Sequence, residues 1–447
     1  MTKPSIASFF AGIGGFDLGF EAAGFQVKFQ CEISKFCKEV LEYHWPDLDT
    51  HHDIAKLQSS EIPDCDVWCG GFPCQDLSVA SGSNGRHGLK GARSGLFFQL
   101  ARLAKDKKPK VILIENVHGL LNSNQGHDFA ELLYHLSSLG YAVSWRLLNS
   151  KYFGVPQSRP RIYICAWANN PNAAANSLFE ATTIKKPTNE REGFLTTSST
   201  GIGPIAPKLA FCLAATSGRH TGTDWSRTYI PYKNEVRRLT PLECERLQGF
   251  PDNWTRIEKE LIDIDHSDSL RYHALGNAVS VVLIRWIANR IKNELGSQEI
   301  FNANEIQSDK FIAYALKKWP ALVGSKMLTS KLSTVRNTRG KIVWPNAGML
   351  WNDEFVANST VPSISNPINT DLIELVEKIK PDQRYFLSPN AAEGILRRVD
   401  SQNRHLFPHL RSALEKLSGR SNKTLLTKNE SVTEKKIELN LKGFACV

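Results

Sequence analysis

The chain has no apolar run near the roughly 20 residues that a membrane-crossing helix needs. Its start, Met1-Thr2-Lys3-Pro4-Ser5, leads directly into a strand-like stretch and lacks the apolar core of a secretion signal. Nine cysteines are scattered without a pairing framework, so free thiols in a reducing cytoplasm are expected rather than a disulfide scaffold. Cys65 and Cys69 lie close together, but no second Cys or His pair at zinc spacing accompanies them, and His51-His52 fits a solvated loop better than a metal contact. No metal site is expected. Internal repeats are also lacking.

What is present is ordinary for a soluble globular chain. There are 447 residues, 41% hydrophobic and 22% charged, enough for two or three domains with full cores. The formal net charge is +10, and it is uneven. Residues 301–447 carry 22 Lys and Arg against 14 Asp and Glu, whereas the first 300 carry 33 against 31. A basic excess suits a polyanionic partner, nucleic acid above all, although plain solubility explains the tail as well.

Residues 1–168 alternate short apolar strands with helical patterns. Ser5–Phe10, Val27–Cys31, Val67–Cys69, Val111–Ile114, Val143–Leu148 and Ile162–Trp167 read as strands. Phe16–Ala23, Lys35–Tyr43, Leu96–Ala104 and Asp128–Leu139 read as helices, with Gly24 and Gly140 as stops. Such alternation predicts an α/β fold with a doubly wound, mostly parallel sheet. Residues 169–270 look like a small, loop-rich second domain, with helical pattern returning at Pro241–Leu247. A helix over 271–296 is expected to complete the first domain. Residues 301–447 have a different texture and are expected to form a basic C-terminal extension.

Several segments have the residue types of a reactive site. Val67-Trp68-Cys69 runs into Gly70-Gly71-Phe72-Pro73-Cys74-Gln75. The glycine pair permits a sharp turn and Pro73 restricts the backbone before the thiol. That placement suits a nucleophile, while a small buried hydrophobe is the common role of cysteine. Phe10-Ala11-Gly12-Ile13-Gly14-Gly15-Phe16 joins the first strand to the first helix. It has neither dinucleotide spacing nor a phosphate-loop lysine, so it is a tight turn or a cradle for a nucleoside-bearing cofactor without phosphates. Glu32 ends the second strand, where an acid can hold ribose hydroxyls or simply face solvent. Glu115-Asn116-Val117 closes the strongest strand; a buried carboxyl there could donate a proton, or it could be a loop acid. In Gln157-Ser158-Arg159-Pro160-Arg161, alternate residues would share one side. That side would present two guanidiniums to a base or phosphate, unless the segment is a solvated basic loop.

In their order along residues 5–290, these segments resemble the motif series of the DNA cytosine-5 methyltransferase family, bacterial and phage type. Pro73-Cys74-Gln75, Glu115-Asn116-Val117 and Gln157 to Arg161 are followed by Arg237-Arg238-Leu239-Thr240-Pro241 with Glu243. Arg246 to Pro251 and Gly276-Asn277-Ala278-Val279 complete the series. The resemblance implies a Rossmann-like fold and S-adenosylmethionine as cofactor. Phe10, Gly12, Gly14, Gly15, Glu32, Asp53, Ile54, Leu96, Asn277 and Ser280 would hold it. His52 stands where the family usually has a glycine before the acid at Asp53. Cys74 would attack C6 of a flipped cytosine, Glu115 would donate to N3, and Arg161 and Arg159 would serve the region of O2.

The implied partner is double-stranded DNA, bound by a monomer. The implied setting is restriction-modification or phage DNA protection, with a cognate endonuclease acting separately. Gln75 and Gln157, Arg86 and Arg93 in a glycine-bearing loop from Ser81 to Gly95, and Arg219, Arg227 and Arg237 would contact DNA, with the segment 169–270 reading sequence and Thr216–Tyr229 within it offering side chains able to read major-groove edges. The basic tail would add duplex contact. Two other readings share the scaffold: a tRNA cytosine-5 methyltransferase, and a catalytically silent DNA-binding module. Gln75-Asp76-Leu77-Ser78 after the cysteine favours the DNA enzymes, and the intact Cys74, Glu115 and Arg161 weigh against silence.

Overall fold

The computed structural model describes residues 3–72, 95–180, 196–197, 203–218, 226–257, 264–297, 311–319, 322–323, 326–359, 364 and 367–420. The first lobe contains β1 (Ser5–Phe9), α1 (Gly15–Glu21), β2 (Gln26–Cys31), α2 (Lys35–His44), β3 (Thr50–His51), β4 (Val67–Gly70), α3 (Leu96–Lys107), β5 (Val111–Val117), α4 (His127–Ser138), β6 (Tyr141–Asn149), β7 (Pro160–Ala168) and α5 (Pro171–Leu178). The second holds β8 (Thr196–Thr197), β9 (Ile205–Ala206), β10 (Tyr229–Pro231), β11 (Val236–Arg238), α6 (Pro241–Gln248) and α7 (Ile264–Asn277). Then follow α8 (Val281–Gly296), α9 (Phe311–Lys318), β12 (Met327–Lys331), α10 (Leu332–Arg336), β13 (Ala347–Trp351), β14 (Glu354–Asn358), α11 (Leu372–Leu375), α12 (Pro389–Ser401) and α13 (Pro408–Ser418).

Local chemistry sets these boundaries. β1 is small or apolar throughout and all five residues are buried, as a strand covered on both faces requires. The Ser34 hydroxyl caps α2 by accepting from Cys37 N, and a Thr240–Glu243 capping box opens α6. Among the described residues, ten strands form one mixed sheet in the order β12-β14-β13-β6-β7-β5-β4-β1-β2-β3, while β8 pairs with β9 and β10 with β11 in a hairpin. From β3 to β5 all pairings are parallel; β7 then lies antiparallel between β5 and β6. Because the chain goes from β1 outward to β2 and returns to β4 on the other side, the carboxyl ends of β1 and β4 flank a crevice, the usual ligand position in such sheets. One face of the sheet is covered by α1, α5, α8 and α9, the other by α3 and α4. The stretch expected as one helix over 271–296 divides in two: α8 packs against α1 on the first lobe, while α7 ends at Asn277 and packs on α6.

Two parts of the fold were not anticipated. α5 lies inside the stretch assigned to the loop-rich domain, yet it packs on the sheet, with Ala173, Ala174, Ala175 and Leu178 wholly buried. Asn170 caps it and Pro171 opens it. The C-terminal segment is likewise no appendage. β13 pairs with β6 and β14 returns beside it, so residues 327–358 finish the central sheet. Trp344 packs edge-on against Phe129 and Trp145, with ring centroids 5.2 and 6.0 Å apart. Beyond β14 the chain crosses to the second lobe. There α11 packs on α6, while α12 and α13 share a small core with Tyr229 and Val236 of the hairpin. Removing residues 301–447 would expose the β6 edge and its aromatic core, so truncation cannot isolate a DNA contact made by the tail.

A buried polar network lies beneath the first turn of the fold. Asp17 of α1 is fully buried and accepts hydrogen bonds from Ser8 Oγ at 3.1 Å and Gln30 Nε2 at 3.0 Å. Burial raises its pKa from 3.8 to about 6, against the opposing effect of these donors. The folded state therefore holds this proton more tightly than the unfolded chain. The associated stabilisation is complete below about pH 3.8 and is lost as pH rises through 6. Asp17→Asn should remove this part of the pH dependence, up to about 3 kcal/mol between pH 4 and 7. Denaturant unfolding of both proteins across that range checks it; parallel curves would contradict it.

Candidate active site

The crevice is bordered by the β1–α1 loop. Phe10 sits at φ 53, Gly12 at φ 57 and Gly14 at φ 81, the left-handed region that side-chain-bearing residues seldom adopt. A Cβ placed on Gly12 would have nothing within 4 Å, so the loop faces open space. Glu32, at the end of β2, is 9% exposed, and its two carboxylate oxygens accept from Gly12 N at 2.7 Å and Ser34 N at 2.8 Å. It thus holds the loop in shape while standing at the crevice. Asp53 follows β3, accepts from Ala55 N at 3.0 Å and precedes the buried Ile54. Phe10 and Leu96 pack against the same core cluster. Val279 fills the space beside Gly15, where an added Cβ would approach within 2.8 Å. The next residue, Ser280, is buried with its hydroxyl unpartnered among the described residues. Asn277 is exposed.

Across the crevice, β4 ends at Gly70 and the chain continues through Gly71 and Phe72. A Cβ on Gly71 would come within 3.0 Å of Glu115 Oε2, and Asn116 Nδ2 donates to Phe72 O at 3.2 Å. The segment entering Pro73-Cys74 is therefore held against the carboxyl end of β5. Glu115 is 8% exposed; its Oε1 is 3.1 Å from Arg161 Nε without the alignment of a hydrogen bond. Burial pushes the Glu115 pKa above its ordinary value, outweighing the opposing charges of Arg161 and Arg159.

The alternation read in Gln157-Ser158-Arg159-Pro160-Arg161 does put these side chains on one side, but it faces protein. Arg159 donates to the carbonyls of Leu213 at 2.9 Å, Gly276 at 3.2 Å and Ala278 at 2.7 Å. It is a bracket between the lobes, with its fork consumed. Gln157, expected on DNA, is wholly buried. Its amide nitrogen donates to Leu247 O at 3.0 Å and its oxygen accepts from Leu213 N at 2.8 Å. Arg237, also expected on DNA, is wholly buried and forms a two-pronged pair with Glu243, both contacts at 2.8 Å. Its charge is spent on an ion pair that the linear spacing did not reveal. Arg227 donates to Thr216 O at 2.6 Å. Cys74, Gln75, Arg86, Arg93 and Arg219 lie outside the described residues.

Two contributors were missed. Cys212 Sγ lies 3.5 Å from Arg159 Nη1 and 3.7 Å from Arg161 Nη2, a contact across more than fifty residues that no local pattern announces. Trp254 Nε1 donates to Ile13 O at 2.8 Å and its ring stacks on His44 at 3.4 Å, bracing the glycine loop from the second lobe. A tryptophan shortly after Gly249-Phe250-Pro251 was the available signal.

A glycine cradle at the switch of a partly parallel sheet, an acid after β2 and a carboxyl at the end of β5 define a Rossmann-like methyltransferase. The family follows from comparison: the model of the C-5 cytosine-specific DNA methylase family matches residues 5–208 and 196–293. The chain belongs to that family and is an enzyme of that type. It is 32% identical over 331 residues to the Type II methyltransferase M2.BsuMI of Bacillus subtilis (strain 168), covering 71% of this chain and 80% of the relative. With the Type II methyltransferase M.HhaI of Haemophilus parahaemolyticus it shares 29% identity over 318 residues, 64% of this chain and 93% of the relative. Among solved structures, the Entamoeba histolytica methyltransferase EhMeth superposes with a TM-score of 0.50 at 19% identity, covering 66% of this chain and all of that one.

Replacing Arg237 by Ala should cost about 3–5 kcal/mol, because Glu243 is left charged and unpaired in the core. Denaturant unfolding checks this. A variant of unchanged stability with weakened DNA binding would restore the arginine to the DNA surface.

Proposed function

We propose that the protein transfers a methyl group from S-adenosylmethionine to C5 of a cytosine flipped out of a specific duplex DNA sequence, through a transient bond between Cys74 and C6. The observation that carries this reading is the buried Glu115 carboxyl, its pKa raised by desolvation, opposite the Gly71-Phe72 segment that leads into Cys74.

The crevice residues fit the cofactor: open space over Gly12, an unpartnered buried hydroxyl at Ser280, and acids at Glu32 and Asp53 beside it. Phe10, Gly12, Gly14, Gly15, Ile54, Leu96 and Asn277 are the other holding residues. When bound, S-adenosylmethionine supplies an electrophilic methyl carbon. Cytosine C5 is a poor nucleophile until the ring loses aromaticity. The Cys74 thiolate forms a bond to C6, and the electron pair displaced from the C5–C6 bond makes C5 enamine-like. Glu115 donates its proton toward N3, where negative charge develops. Arg161 holds the Glu115 carboxyl in place and serves the region of the base's O2, with Arg159 supporting the same region by tying the start of β7 to the turn between α7 and α8. After methylation, a base, with water as the candidate, removes the C5 proton, the electron pair returning to the ring expels the Cys74 thiolate, and the N3 proton returns to Glu115. Because C5 is out of reach in a stacked duplex, the base must be extruded. The Type II names of the relatives support a restriction-modification setting with a separately acting endonuclease.

Cys74→Ser should lower methyl transfer to duplex DNA by at least about a thousand-fold, the nucleophile being lost, while the Kd for DNA changes little. Tritium transfer from labelled S-adenosylmethionine and a gel-shift titration measure the two. Sustained turnover in the variant would overturn the proposal.

A further inference from the structure

The family match ends at residue 293, yet residues beyond it reach the segment expected to read DNA. The chain from residue 367 runs over both lobes. Gly154 N donates to Ile368 O at 3.1 Å, Glu377 N to Glu243 Oε1 at 2.8 Å, and Leu387 N to Val236 O at 2.8 Å. At its centre, Arg384 and Tyr385 close a cluster with Asp268 of α7. The Tyr385 hydroxyl donates to Asp268 Oδ2 at 2.7 Å, and Arg384 Nη2 lies 3.2 Å from the same oxygen. Arg271 pairs with the other Asp268 oxygen at 3.4 Å, so the carboxylate is fully engaged.

Arg238 lies over this cluster. Its guanidinium stands 5.6 Å from the Tyr272 ring and 5.8 Å from the Tyr385 ring. Nη2 donates to Arg384 O at 3.4 Å, and Nη1 donates to Gly218 O at 2.7 Å. Gly218 is seated on Tyr272, where an added Cβ would come within 2.5 Å of the ring. Arg227 holds Thr216 two residues earlier. Both ends of the segment Thr216–Arg227 are therefore tied down, one of them through a side chain that the C-terminal segment orients.

We infer that Arg384 and Tyr385 are positioning residues for sequence choice: through Arg238 they set where the recognition segment starts at Gly218, and so tune discrimination between the target and near-target DNA. This rests on the DNA methyltransferase reading above. Neither residue need touch DNA. A clamp of this kind sets how well the correct duplex is engaged and leaves the chemistry at Cys74 and Glu115 to the first lobe. Its removal should therefore be felt in KM for DNA and in discrimination more than in kcat.

The full-length enzyme is first used to map the cytosines it methylates in plasmid DNA; absence of any DNA methylation would defeat the functional reading and this inference with it. Given a target, kinetics are compared on the target duplex and on duplexes with one changed base pair. Tyr385→Phe, which removes a single oxygen, and Arg238→Met should each raise KM for DNA about five-fold, the factor of one hydrogen bond. The target-to-mismatch ratio of kcat/KM should fall about five-fold or more, with kcat and KM for S-adenosylmethionine nearly unchanged. Arg238→Lys, which retains a donor for Gly218 O, should recover part of the discrimination. If Arg238→Met does not fold, Tyr385→Phe decides. Wild-type discrimination in Tyr385→Phe, or a loss confined to kcat, would overturn the inference while leaving the methyltransferase reading standing.

Discussion

The proposed chemistry rests on the desolvation of one carboxyl group. Glu115 lies near the end of β5 and is largely buried, and burial raises its pKa more than the nearby guanidiniums lower it. The contact with Arg161 matters for that balance, because its positive charge opposes the rise that burial causes. Arg159 adds its charge to that of Arg161, while its two terminal nitrogens donate to three carbonyls.

The same arginine binds the two lobes together. Its carbonyl partners come from Leu213 on one side and from Gly276 and Ala278 on the other, so the group that biases Glu115 also sets the position of the second lobe. Trp254 braces the glycine loop from that lobe, and the segment after residue 367 joins both from the outside. The glycine loop, Glu115 and Gly218 thus share one framework. The arginine-to-carbonyl bonds at its centre are charge-assisted and buried, the setting in which such bonds are strongest.

Much of this was legible in the residues. Every strand expected before residue 168 is present, within two residues of its N-terminal boundary and within three of its C-terminal one, because continuous apolar runs bounded by Gly and Pro leave few alternatives. The grouping of Phe10, Gly12, Glu32, Gly71 and Glu115 at one sheet edge was also foreseeable, since motifs at strand ends converge in a doubly wound sheet. What failed was the assumption that a motif arginine faces its ligand. Gln157 satisfies partners distant in sequence and Arg237 pairs with Glu243 six residues on, and nothing in a linear pattern separates a buried bracket from an exposed reader. β13 and β14 were missed for a different reason. Their turn, Asn352-Asp353, carries φ values of 45 and 71, a two-residue hairpin signal. The polar connectors around it drew attention to composition instead. α5 was hidden in the same way by the Asn-rich stretch on either side of its alanines.

The most direct test of the covalent chemistry is a trapping measurement. Duplex DNA bearing 5-fluorocytosine at the target is incubated with the enzyme and S-adenosylmethionine, the mixture is denatured, and any protein–DNA adduct is digested and sequenced by mass spectrometry. Fluorine at C5 cannot leave as a proton, so elimination of the thiol is blocked. The account predicts a denaturation-stable complex whose link maps to Cys74 and which does not form without S-adenosylmethionine. A methylated product from the ordinary duplex with no adduct on the fluorinated one, or an adduct mapped to another residue, would contradict it.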